Sequence, residues 1–177
     1  MERCRADLQI VQPRRVQKPE SYVMGIELCV THSAADSLTA EIPQLWQRFS
    51  AEALLSIPEP IAPDVLYRVY TDYHPHYGTH HSGSQHQQCS VFVAVEVDSI
   101  DNPPEEMVGI SIPAGDYLVF EVAGTTPTAV SQTWQRINAY FATGSPYQRA
   151  FTTDFEQYTS EQISLAQIKI YIAIKSV

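Results

Sequence analysis
The sequence runs to 177 residues, 44 % apolar and 18 % charged, which excludes a disordered chain and suits a single domain able to bury a core without a metal or disulfide staple. With 20 acidic against 11 basic residues the net charge is −9, which excludes general affinity for nucleic acid or anionic membranes and favours cationic partners.

The charge is unevenly distributed. Arg3, Arg5, Arg14, Arg15 and Lys18 face only Glu2 and Asp7 within residues 1–18, so residues 19–177 hold 6 basic and 18 acidic side chains, a net of −12. Residues 1–16 read as a solvated basic arm ahead of one domain, 17–177. The three cysteines, Cys4, Cys29 and Cys89, form no C-x-x-C pair, so no zinc finger or disulfide framework is written here. No apolar stretch reaches 18 residues and no signal-peptide core opens the chain, so the expected compartment is the cytoplasm.

In chain order, a β-rich run from Tyr22 to Thr31 comes first. Ile42, Trp46, Phe49 and Ala53 then share one helical face, with Pro43 expected in the first turn and Trp46 in the core. A strand follows from Val65 to Tyr73. The next segment holds His74, His76, His80, His81 and His86 among Gly, Ser and Pro. Histidines at these spacings could ligate zinc or nickel, but the composition is that of a surface loop; His74, His76, His80 and His81 are the weak metal candidates, and no cofactor is expected. Val91, Val93 and Val95 then alternate along a strand, and 98–106, with Pro103-Pro104, reads as a join.

The second half repeats the first. A strand spans Tyr117 to Gly124, and Val130, Trp134, Ile137 and Phe141 form a helical face behind Thr126 as cap and Pro127 at the first position, with Gly144 as the stop. Asp154-Phe155-Glu156 and the alternating Ile170, Ile172 and Ile174 complete it. Trp46-Gln47-Arg48 and Trp134-Gln135-Arg136 match at a spacing of 88; Glu27 and Glu121 match at 94, Thr71-Asp72-Tyr73 and Thr153-Asp154-Phe155 at 82, and the last strands at 79. The expected fold is α+β, a duplicated β-α-β-β unit (about 20–98 and 107–177) with pseudo-twofold symmetry around a central ligand cleft.

The chain resembles the GyrI-like domains, which include stand-alone proteins and the effector-binding domains of AraC-type and MerR-type regulators. The resemblance rests on Lys18-Pro19-Glu20, Val23-Met24-Gly25-Ile26, Ile42-Pro43-Gln44-Leu45-Trp46, Val69-Tyr70-Thr71-Asp72-Tyr73, Ile112-Pro113-Ala114-Gly115-Asp116-Tyr117, Trp134-Gln135 and Asp154-Phe155-Glu156-Gln157-Tyr158. It implies the same duplicated fold and the binding of lipophilic, often cationic compounds in an aromatic cleft with a buried glutamate. Other members of that family are described as gyrase inhibitors or as hydrolases of cyclopropane-bearing toxins, so a gyrase-interacting role, or Glu156 as a general base, is the alternative. No DNA-binding helix pair fits ahead of residue 17, so direct DNA binding is not expected.

Strand alternation puts Asp154, Glu156 and Tyr158 on one face and Phe155 and Gln157 on the other. With Phe155 packed on the helical layer, Glu156 faces the cleft, where a ligand cation would satisfy it; Lys169 or Arg149 are its alternative, structural partners. By the same alternation Tyr70, Phe92 and Tyr171 lie opposite the β-branched positions and are expected to line the cleft, where aromatic faces attract cations. Tyr117 and Trp134 join them from their places in the family-like motifs. The expected ligand-binding set is therefore Glu156, Tyr70, Phe92, Tyr117, Trp134, Tyr158 and Tyr171.

Overall fold
Eight stretches of alternating residues pair into one sheet, described in a computed structural model covering residues 12–31, 35–73, 88–159 and 167–175. The strands are β1 (Arg14–Lys18), β2 (Ser21–Thr31), β3 (Val65–Thr71), β4 (Gln88–Val97), β5 (Val108–Ile112), β6 (Gly115–Glu121), β7 (Asp154–Thr159) and β8 (Gln167–Ala173). They lie in the order β1-β6-β8-β7-β3-β4-β2-β5, and every neighbouring pair is antiparallel. The result is an α+β fold, a curled half-barrel sheet with helices on one face.

The strand order reads alike from both ends if β1, β2, β3 and β4 are exchanged for β5, β6, β7 and β8. The duplicated unit is thus present, and the two halves meet where β3 pairs with β7. Each half also has an extra edge strand, exchanged between them: β1 leads into the first half but pairs with β6 of the second, whereas β5 leads into the second half and pairs with β2 of the first. Arg14 and Arg15, expected in a solvated arm, belong to β1, and Arg15 Nη2 lies 3.0 Å from Asp116 Oδ2.

The helices cover one face. α1 (Ala35–Arg48) continues through a π-helical segment, Phe49–Ala53, into α2 (Leu54–Ser56); α3 is Pro127–Ala142. Leu45 and Phe49 pack on Met24, Ile26, Val93 and Val95, while Val130 and Ile137 pack on Leu118, Phe120, Ile170 and Ile172. The start of α3 is as its sequence requires: Thr126 accepts the Ala129 N–H at 3.2 Å, and Pro127 follows. Gly144, at φ +92°, lies just past its end. Pro43 differs from expectation. It sits inside α1, which begins eight residues earlier at Ala35.

Among the described residues the opposite face carries no helix, and it curls on itself. Val23, Val69, Phe92, Tyr117 and Phe155 form one buried cluster there, joined by Val16 from edge strand β1 and Ile110 from edge strand β5. Residues from the two ends of the strand order can share a cluster only because the sheet curls. Phe155 therefore packs away from the helical layer, the reverse of the orientation expected from alternation.

Candidate functional site
At the centre of the sheet Arg68 of β3 and Glu156 of β7 stand directly across from each other. They are 88 residues apart, the same spacing that relates Trp46 of α1 to Trp134 of α3. The pseudo-twofold axis therefore runs through this pair. The ring contacts obey it: Trp46 meets Tyr158 at 4.9 Å and 73°, and Trp134 meets Tyr70 at 5.3 Å and 75°. Tyr70 and Tyr158 are again 88 apart. A symmetric box of two tryptophans and two tyrosines thus encloses an asymmetric centre, a cation from one half and an anion from the other.

Glu156 is fully buried. Arg68 Nη2 donates to its Oε1 at 2.5 Å, Trp134 Nε1 at 2.6 Å and the Tyr70 hydroxyl at 3.0 Å, while the Tyr158 hydroxyl donates to Oε2. Three donors converge on Oε1 and one on Oε2, and such bonding is how a buried charge is tolerated. The Arg68 guanidinium lies 5.6 Å from the Tyr70 ring centre, and its side chain is 11 % exposed. Burial by itself would favour the neutral guanidine, but Tyr70, Glu156 and Tyr158 outweigh it and raise the Arg68 pKa above its ordinary value. Surface hollows lie elsewhere, one beside Arg48 and Glu106 and one beside Lys18 and Gly115; neither includes a residue of this cluster.

Of the expected set, the structure brings together Glu156, Tyr70, Trp134 and Tyr158. Phe92, Tyr117 and Tyr171 lie on the opposite face with Phe155, which stacks on Tyr171 at 4.4 Å and meets Tyr117 edge-on at 5.6 Å. The reason is register: Val69, Phe92, Phe155 and Tyr171 are neighbours across β3, β4, β7 and β8, so they share a face that excludes Tyr70. Neither Lys169 nor Arg149 partners Glu156. Arg149 pairs with Asp154 at 2.6 Å, and Asp154 also accepts from the Tyr73 hydroxyl at 2.7 Å and the Ala173 N–H at 2.8 Å. His74, His76, His80, His81 and His86 lie outside the described residues.

Arg68 and Trp46 are the cluster members that sequence reasoning missed. One signal pointed to them: at a spacing of 88, Tyr70-Thr71 falls on Tyr158-Thr159 and Arg68 on Glu156. A spacing of 82, at which Thr71-Asp72 falls on Thr153-Asp154, sets His74 against Glu156 instead. The last strands are likewise displaced, pairing Val93 with Ile170 at a spacing of 77 rather than 79.

Burial raises the pKa of the cluster phenols Tyr70 and Tyr158, and Tyr67 and Tyr171 rise for the same reason. Tyr117 is pushed up to about 12, by burial and then by Asp154. Groups whose pKa is raised on folding contribute stability that is whole below the unfolded tyrosine value of 10.0 and is lost as pH climbs through the folded values. Phenolate absorbance followed from pH 9 upward should therefore show these tyrosines ionising late, together with loss of the fold. Titration of all ten at the ordinary value with the fold intact would contradict their burial.

A duplicated half-barrel with a buried acid between two helices defines an effector-binding domain of the GyrI-like class. The family match is specific: residues 14–174 match Cass2, the integron-associated effector binding protein family, and the chain belongs to it. No curated protein sequence matches the chain. Among solved structures, an integron cassette protein from Vibrio cholerae is 23 % identical, with a TM-score of 0.68 over 93 % of this chain and 97 % of its own. SAV2435 bound to tetraphenylphosphonium superposes at a TM-score of 0.72 and 16 % identity, over 93 % of this chain and 94 % of its own. EcmrR, in a complex with DNA, aligns at a TM-score of 0.56 and 14 % identity, over 94 % of this chain and 58 % of its own. At these identities the structures share the fold. Among the described residues no helix is long and apolar enough to cross a membrane.

Proposed function
We propose that this effector-binding chain captures a lipophilic, cationic small molecule, with Glu156 as its counter-ion and Trp134, Tyr70, Tyr158 and Trp46 as its aromatic contacts. The observation that carries this reading is the fully buried Glu156 carboxylate, set among two tryptophans and two tyrosines between the helices of the two halves. A cation that takes the place of Arg68 there meets a carboxylate at low dielectric and ring faces that attract it. The net −12 of residues 19–177 would draw cations toward the surface. The tetraphenylphosphonium complex of SAV2435 adds a precedent on the same fold.

Tryptophan fluorescence during titration with tetraphenylphosphonium tests the reading. The wild type should saturate, and a neutral aromatic compound of similar size should bind far more weakly. Glu156→Gln should weaken the cation by about thirtyfold or more, the usual effect of removing a buried charge partner. Equal affinity for the cation and its neutral counterpart would sink the charge-pairing mechanism.

A further inference from the structure
The geometry points to Arg68 as a resident cation: it holds the place on Glu156 that a ligand cation takes, so binding is an exchange of one cation for another. This rests on the cation-binding reading of the site and names what controls it.

The argument begins with the register. Arg68 and Glu156 are direct partners on the repeat axis, so the chain supplies its own counter-ion where that axis crosses the sheet. The guanidinium makes the 2.5 Å contact through Nη2 alone, and its buried Nε has no hydrogen-bond partner among the described residues. The pair is therefore strongly attractive but incompletely satisfied, and an arginine that swings out to water recovers the missing bond. Arg68 is also the outer member, 11 % exposed where Glu156 is fully buried. It can leave while Trp134, Tyr70 and Tyr158 keep their bonds to the carboxylate.

Exchange sets selectivity. A tethered guanidinium, already beside the carboxylate, outcompetes a small hydrated cation that offers only charge. A bulky aromatic cation brings apolar surface and ring contacts that Arg68 lacks, and these tip the balance toward the ligand. Apparent affinity is then the intrinsic affinity scaled by the fraction of molecules in which Arg68 has left. Arg68 thus acts as a specificity-determining residue that holds the site against small cations.

The test titrates tetraphenylphosphonium and tetramethylammonium against wild type, Arg68→Met and the double variant Arg68→Met with Glu156→Gln. The expected result is a gain of about tenfold or more in tetraphenylphosphonium affinity for Arg68→Met, as if the open fraction rose from a tenth or less to unity. Tetramethylammonium should bind Arg68→Met but not wild type, and the double variant should lose both gains. Should Arg68→Met not fold, Arg68→Lys keeps the charge without the planar fork and should show a smaller gain. Binding by wild type that is unchanged or weakened in Arg68→Met, or in Arg68→Lys where Arg68→Met does not fold, overturns the resident-cation role alone. No binding by wild type or by either single variant overturns it together with the cation-binding reading. A silent wild type beside a binding Arg68→Met upholds the resident-cation role and overturns capture of tetraphenylphosphonium by the native chain.

Discussion

Glu156→Gln should lower the unfolding free energy by about 3–5 kcal/mol, because it leaves the Arg68 guanidinium uncompensated in a nearly closed site. Coupling that change to Arg68→Met should restore most of the loss, since an ion pair replaced as a unit by groups of similar size is often neutral or stabilising. Urea unfolding of the wild type, the two single variants and the double variant completes the cycle. A double variant no more stable than Glu156→Gln would show that the two charges are not coupled.

The second large effect is steric. Gly25 of β2 lies between Ala94 of β4 and Val108 of β5, and a Cβ added there would fall 1.9 Å from the Val93 carbonyl oxygen and 2.6 Å from the Ala94 Cα. Both are backbone atoms of the neighbouring strand β4, so no side chain can rotate aside. Overpacking typically costs about 1–3 kcal/mol, and Gly25→Ala should reach or exceed the upper end of that range. β4 carries Val93 and Val95 beneath α1, so the strain would also disturb the seat of the helix that holds Trp46. A midpoint in urea matching the wild type would mean that the strands separate there without penalty.

Much of this architecture was legible in the chain. The Thr126-Pro127 start, the two Trp-Gln-Arg helices and the alternating valines and isoleucines specified a duplicated α+β unit. The short edge strands were not legible, because Arg14–Lys18 and Val108–Ile112 are stabilised by partners in the opposite half rather than by their own sequence. Nor could alternation say which face of β7 the helices cover. Both faces of this sheet are buried, one under α1 and α3 and the other within the curl, so Phe155 and Glu156 had equal claim to the helical side. Glu156 was named from an inverted premise, and it lies fully buried on the face that the helices cover.

The register errors have one physical cause. Spacings of 82 and 79 differ from the structural 88 and 77 by even numbers, and an even slip returns every strand residue to its original face. Hydrophobic pattern alone cannot detect such a slip. The sequence by itself determined a net charge of −9 with its basic residues set apart, a repeat, two helical faces and an aromatic-rich strand carrying Glu156. Only the tertiary structure decided that Arg68 stands opposite that carboxylate and that Trp46 and Trp134 flank it in pseudo-symmetric pairs. Those contacts join residues from different halves, and their alignment is fixed by how β3 and β7 hydrogen-bond across the axis, which no local pattern encodes.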